Sequence, residues 1–289
     1  MYQLLTDSGV DLPYQLLADN HVGFVSMHVD IDGQDYTDDL EHKFDLNHFY
    51  QQIDKGVMPS TAQINIGQFV EFFKPYVKKQ IPILYLGFSS GLSGTFNNAK
   101  NAKKMLVQEY PDAQIFLVDS LAASCGEGLM VLDAIDKKKA GMDITELADW
   151  LETNRLRYRQ WFTVDDLNYL YHGGRVSRAS AAVGSLLHIK PVMDVDTMGY
   201  LRVVSKARSR RKSLKALADN TLETLANRDN PRIVIATSQA DEAAQLVSDH
   251  IHESIPEAQV LIEHIGPTIA SHTGLGCVAV FSLGNSERK

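Results

Sequence analysis

The stretch Ile81-Pro-Ile-Leu-Tyr-Leu-Gly-Phe-Ser-Ser-Gly-Leu-Ser-Gly-Thr95 decides the fold class. Ile83–Phe88 is a continuous apolar run, the pattern of a short strand buried on both faces. It opens into a Ser/Gly-rich loop, and Ser93–Tyr110 then reads as a helix. A strand, a loop and a helix in that order are the first part of a strand–helix–strand unit.

The pattern repeats on either side. Tyr2–Leu5, Val22–Val29 and Ile115–Val118 also read as strands, and Ile66–Lys79, Gly126–Ala140 and Ile144–Arg157 as helices. Gly141-Met-Asp143 supplies a helix end followed by an N-cap. Strands alternating with helices predict a parallel sheet with both faces covered. Past Tyr158, Trp161–Val164 reads as a strand, and Leu186–Pro191 leads into two short strand-like runs around a turn at Thr197-Met-Gly199. Ser213–Asn227 reads as a helix, and Ile233–Thr237, Asp241–Ser254, Val260–Ile265 and Cys277–Leu283 repeat the strand–helix–strand theme. The expected organisation is α/β in two parts, residues 1–158 and 159–289, with no flexible linker between them.

The 289 residues are 44% hydrophobic and 22% charged, enough for a substantial core. Met1–Pro13 lacks the basic and long apolar regions of a signal peptide. The apolar runs fall well short of the ~20 residues of a membrane helix. Cys125 and Cys277 are expected to be buried free thiols in a reducing cytoplasm. The net charge of −8 conceals an asymmetry: Arg202, Lys206, Arg208, Arg210, Arg211, Lys212 and Lys215 fall between Thr197 and Ala218 without one acid, leaving −15 on the rest of the chain. An acidic protein with one basic stripe is poorly suited to nucleic acid, but it can dock an acidic partner.

Loops rich in Ser, Thr and Gly follow several of the strands: Thr6-Asp-Ser8, Pro59-Ser-Thr-Ala-Gln63, Ser89–Thr95, Asp119-Ser120 and Gly266-Pro through His272-Thr-Gly274. Beyond the carboxyl ends of a parallel sheet, hydroxyls and helix N-terminal amides make a site for an anionic group. Gly87-Phe-Ser-Ser-Gly91 also fits the nucleophile-elbow pattern, which keeps a serine hydrolase or acyltransferase using Ser89 open. A regulatory binder that senses a ligand is the third reading. There is no phosphate-binding G-x-x-x-x-G-K-[ST] and no G-x-G-x-x-G, so no intrinsic nucleotide site is expected. H-E-x-x-H is absent, and His250 and His252 are too close in sequence to share a helix face, so no metal is expected.

Taken in order, these stretches resemble the DegV family. The resemblance is carried by Thr6-Asp-Ser8 with Asp11-Leu-Pro13, Pro59–Gln63, Ser89–Thr95, and Val118-Asp-Ser120 with Ala123-Ser124. It continues through Leu167–Leu170 with Gly173–Ser177, Leu187 with Ile189-Lys-Pro191, Gly199 with Lys206-Ala-Arg208, and Gly266-Pro267 with His272. Ala62 and Leu275 depart from it, where the family often has Ser and Pro.

The resemblance implies a two-part DegV-like α/β fold enclosing a long-chain fatty acid between the parts. It implies a carrier subunit with no catalytic group or cofactor of its own. The carrier presents the acid's carboxylate to a separate ATP-dependent fatty acid kinase, whose acyl phosphate product feeds phospholipid synthesis, and the cytoplasmic carrier has room for peripheral membrane contact during lipid exchange. Thr61, Ser93 and His272 would hold the carboxylate, and Arg175 and Arg208 would dock the kinase. Burying about fourteen methylenes contributes a gross ~11 kcal/mol, so the chain can drive binding while the carboxylate needs donors. Met27, Phe24, Leu186 and Ile265 are candidates for the walls.

Overall fold

The computed structural model describes residues 2–177 and 189–289; Leu186 and Leu187 lie outside them. The first half runs β1 (Gln3–Asp7), α1 (Tyr14–Asp19), β2 (Gly23–Val25), β3 (His28–Ile31), β4 (Gln34–Thr37), α2 (Leu46–Asp54), β5 (Ser60–Ala62), α3 (Ile66–Lys78), β6 (Ile83–Gly87), α4 (Thr95–Glu109), β7 (Ile115–Asp119), α5 (Cys125–Lys139) and α6 (Ile144–Asn154). The second half runs β8 (Tyr158–Thr163), α7 (Asn168–His172), β9 (Lys190–Val195), β10 (Leu201–Ala207), α8 (Arg210–Thr224), β11 (Arg232–Thr237), α9 (Asp241–Ser254), β12 (Gln259–His264), α10 (Pro267–Thr273) and β13 (Val278–Leu283).

These strands form three sheets. A four-stranded sheet, ordered β2-β1-β6-β7, is parallel throughout. A six-stranded sheet, ordered β10-β9-β8-β13-β11-β12, is antiparallel except for its β11–β12 pair. The smallest is the antiparallel β4-β3-β5.

The period-two geometry of a strand explains the continuous apolar runs. In β6, Leu84 and Leu86 face the core between the two large sheets, while Ile83 and Tyr85 face the core under α3 and α4. In β13, Ala279 and Phe281 face the inter-sheet core, and Val278 and Val280 face the layer of α8 and α9. The inter-sheet core also receives α5, which packs on strands of both sheets. The order of layers is therefore helices, parallel sheet, shared core, mixed sheet, helices.

Three expectations change. Val22–Val29 is two strands in two different sheets, because Met27 leaves the parallel ladder: its N–H donates to Ser8 Oγ at 2.9 Å and its carbonyl accepts from Asp38 N–H at 3.0 Å. Within the Pro59–Gln63 loop, Ser60–Ala62 pairs with β3 as a strand. The segment after Gly266 is a helix, with Pro267 at its first turn, where a missing N–H costs no hydrogen bond. Among the described residues no helix is long and apolar enough to cross a membrane.

Asp38 is fully buried and accepts a hydrogen bond from Thr268 Oγ1 at 2.5 Å, tying the β4 region to α10. Burial raises its pKa to about 6, against the opposing pull of that hydrogen bond. Its protonated form stabilises the fold below the unfolded-state value, and that contribution is lost as pH rises through about 6. Urea unfolding of wild type should therefore lose about 2 kcal/mol more between pH 4 and pH 7.5 than unfolding of Asp38→Asn. Equal losses in the two proteins would show that folding leaves the Asp38 pKa at its unfolded-state value.

Candidate functional site

A cavity of about 570 Å³ lies between the two large sheets, within the size range of small-molecule sites. Its walls are mostly apolar. Phe88 and Met27 come from the side of the parallel sheet, and Phe162, Val195, Ala279 and Phe281 from the strands of the mixed sheet. Ile265 also lines it, whereas Phe24 packs against the core and does not.

One end of the cavity is polar. Thr61 on β5, Ser93 just before α4, and His272 in the last turn of α10 all line it. Gln63 and Gly94 beside them are exposed, so this end is the mouth. The antiparallel pairing of β5 with β3 places Thr61 opposite Val29. The Ser89–Thr95 loop ends at the N-terminus of α4, where Ser93 Oγ donates to Thr95 Oγ1 at 2.9 Å and accepts from Thr95 N–H at 3.2 Å. The 15-residue α4 directs the positive end of its dipole to this position.

Thr61 Oγ1 and His272 Nε2 are 2.7 Å apart. Desolvation, helped by the nearby charge of Arg175, lowers the His272 pKa to about 4, so the ring is neutral at pH 7. Nδ1 is buried with no hydrogen-bond partner among the described residues. It packs against Gly173, where a β-carbon would come within 2.1 Å of Nδ1, so only glycine lets the end of α7 lie against the ring.

Arg175 is brought to the same place. It lines the cavity, half-buried, with Nε donating to the Leu92 carbonyl at 3.1 Å and Nη1 to the Gly173 carbonyl. Desolvation lowers its pKa. Arg208 is elsewhere, exposed at the end of β10. In the basic stripe, Arg202 forms a two-pronged pair with Asp194, Arg210 lies 3.8 Å from Asp165, and Lys215 pairs with Asp219. Lys206, Arg208, Arg211 and Lys212 are exposed and form no ion pair among the described residues.

Ser89 is not set up as a nucleophile. It is fully buried, its hydroxyl donates to the Gly199 carbonyl at 3.0 Å, and it accepts from Gly91 N–H at 3.2 Å. The histidine that a hydrolase would need is instead paired with Thr61. Among the described residues no cluster of His, Cys, Asp and Glu is arranged to hold a metal.

Sequence reading passed over Gln160, which lines the cavity together with Ser124, Thr268 and Thr273 from the hydroxyl-bearing segments and with Cys277. Gln160 left one signal, an amide at an inward-facing position of a largely apolar strand. Its side chain accepts from Ala123 N–H at 3.1 Å, so the amide is used to hold the loop after β7.

The chain matches the family model described as uncharacterised proteins of the DegV family over residues 1–285. It is 42% identical over 286 residues to a DegV domain-containing protein of Clostridium perfringens, an alignment covering 99% of this chain and 98% of that one. A DegV family protein from Thermus thermophilus, described by its fatty acid binding, superposes with a TM-score of 0.87 at 28% identity, covering 98% of this chain and 99% of that one. The fatty acid kinase B3 protein of Streptococcus pneumoniae, solved loaded with linoleic acid, shares the fold with a TM-score of 0.86 at 21% identity, covering 98% of this chain and 99% of that one.

Carbon-13 and nitrogen-15 NMR of the His272 ring should show it neutral down to about pH 4. A midpoint near 6.5 would place the ring in water, in conflict with its packing against Gly173.

Proposed function

The chain belongs to the DegV family, and on that footing we propose that it binds a long-chain fatty acid between its sheets and presents the carboxylate to a separate ATP-dependent kinase, which converts it to an acyl phosphate. The observation that carries this reading is the division of the cavity into an apolar body and a mouth lined by Thr61, Ser93 and His272. An acyl chain fills the body, and burial of its methylenes drives binding at ~0.8 kcal/mol each. The carboxylate stays at the mouth, where hydroxyls and the N-terminus of α4 replace its hydration.

The neutral imidazole assigns the hydrogens. With the proton on Nε2, the ring donates to Thr61 Oγ1, and the Thr61 hydroxyl hydrogen is free to turn toward the carboxylate. Ser93 can likewise rotate its hydroxyl away from Thr95. Hydroxyl donors satisfy the carboxylate while leaving it more nucleophilic than a tight guanidinium pair would, as a group awaiting phosphorylation requires. Arg175 is committed to the Leu92 and Gly173 carbonyls, which suits it to bracing the mouth and receiving the partner there. Lys206, Arg208, Arg211 and Lys212 supply a second, exposed contact for an acidic kinase surface.

Fatty acid should co-purify with the protein and appear in a solvent extract by mass spectrometry. Its absence from both the purified and the oleate-incubated protein would overturn the reading. Thr61→Ala with Ser93→Ala should weaken fatty-acid binding by roughly tenfold to a hundredfold, the cost of lost hydrogen bonds to a charged group. Arg208→Glu should lower acyl phosphate formation by the kinase while leaving bound lipid unchanged. Loss of lipid as well would assign Arg208 to folding and not to docking.

A further inference from the structure

A second concavity lies at the outer edge of the parallel sheet. It has a volume of about 730 Å³, with Phe96, Val107 and Leu117 as its apolar residues and Lys100, Lys103 and Lys104 from α4 along one side. β7 is the last strand of that sheet. Ile83 N–H donates to the Gln114 carbonyl and Ser120 N–H to the Gly87 carbonyl. In a parallel ladder of this register, the even-numbered residues of β7 turn their backbone groups toward β6. Ile115, Leu117 and Asp119 therefore turn theirs away from β6; Ile115 is buried, and Leu117 is the partly exposed residue between it and Asp119. The side chain of Arg155 already reaches round to this edge, donating from Nη1 to the Asp119 carbonyl at 3.0 Å.

The groove is lined by four basic residues, Lys100, Lys103, Lys104 and Arg155, and two acids, Asp119 and Glu152. Lys103 is partly desolvated, which lowers its pKa, and neither it nor Lys104 forms an ion pair among the described residues. Lys100 lies over the Phe96 ring. The two acids at the groove are already engaged: Asp119 Oδ1 accepts from Ser90 N–H and Leu121 N–H, and Glu152 lies 3.7 Å from Arg155.

We propose that this groove docks an extended acidic segment of a partner protein, which adds as a strand to the open edge of β7. Backbone pairing at Leu117 would supply the register, and acids on alternate residues of the segment would meet the three lysines. A bilayer or a free phosphate could use the lysines but would not pair with the outward N–H and carbonyl of Leu117. The inference stands apart from lipid binding, since Lys103 and Lys104 do not line the cavity. Its position has a consequence for the mouth, because Asp119 at one end of the groove holds Ser90 in the loop that carries Ser93.

The test uses the protein as purified and a fluorescein-labelled heptapeptide alternating Glu and Val. Fluorescence anisotropy should show saturable binding, and hydrogen exchange should slow at Leu117. Lys103→Glu with Lys104→Glu should weaken binding by about tenfold or more, with bound lipid unchanged. A peptide N-methylated at alternate residues, which cannot pair as a strand, should lose binding to wild type by a similar factor. Equal affinity for the N-methylated peptide, or binding without protection at Leu117, would overturn the proposal. So would phosphatidylglycerol vesicles that retain wild type and not the lysine variant while the peptide fails to bind, because the groove would then face a membrane.

Discussion

The buried carboxyl group of Asp11, which forms no ion pair among the described residues, ties the two halves of this protein together. Asp11 sits in the left-handed region at φ +46, just after β1. Its carboxylate accepts from Gly266 N–H at 3.0 Å and from Ser124 Oγ at 2.5 Å. Those two residues precede α10 and α5. One side chain therefore ties the end of the first strand to the starts of two helices that pack in the inter-sheet core. Burial raises its pKa well above the usual carboxylate range, with the hydrogen bonds pulling the other way. A carboxyl held by directional hydrogen bonds fixes orientation more tightly than apolar packing does. Because Gly266 caps the start of α10, Asp11 also sets the direction in which that helix carries His272 toward Thr61.

Given that orientation, the cavity follows from side-chain alternation. The inward faces of β8 and β13 bring Gln160, Phe162, Ala279 and Phe281 to the space beside α5. Ala279 and Ala123 are too small to fill it. The opposite face of β13 carries Val278 and Val280, which pack with Ile233 and Ile235 of β11 under α8 and α9. The polar mouth belongs to neither sheet. It is assembled from an edge strand, the start of α4, the end of α10 and the turn after α7, each anchored by its own backbone pairing.

Much of this was legible in the chain. The run Ile83–Phe88 announced a doubly covered strand because every residue in it is apolar, and the alternating helices announced the parallel sheet. The hairpin at Thr197-Met-Gly199 was also readable, since Gly199 adopts φ +81 and Asp196 caps the turn through the Met198 and Tyr200 amides. The three-stranded sheet was hidden. β3, β4 and β5 are each only three or four residues long, and their pairing rests on contacts between residues 28 and 62. The helix α10 was read as a loop because its Ser and Thr residues, which favour caps and turns, are here held in a helix by Asp38 and Asp11.

The amino-acid sequence by itself determined which segments become strands and helices, the order of the hydroxyl-bearing loops, and where positive charge concentrates. These are local properties, written in periodicity and residue type. Tertiary structure alone decided that Thr61 and His272, 211 residues apart, stand in hydrogen-bond contact. It decided that His272 is neutral, because that depends on how much water the neighbouring Gly173 turn excludes. It also decided that Ser89, which carries the outward form of a nucleophile, is instead a buried donor to the Gly199 carbonyl. A motif states which groups are available; burial and the partner across the fold state what each group can do.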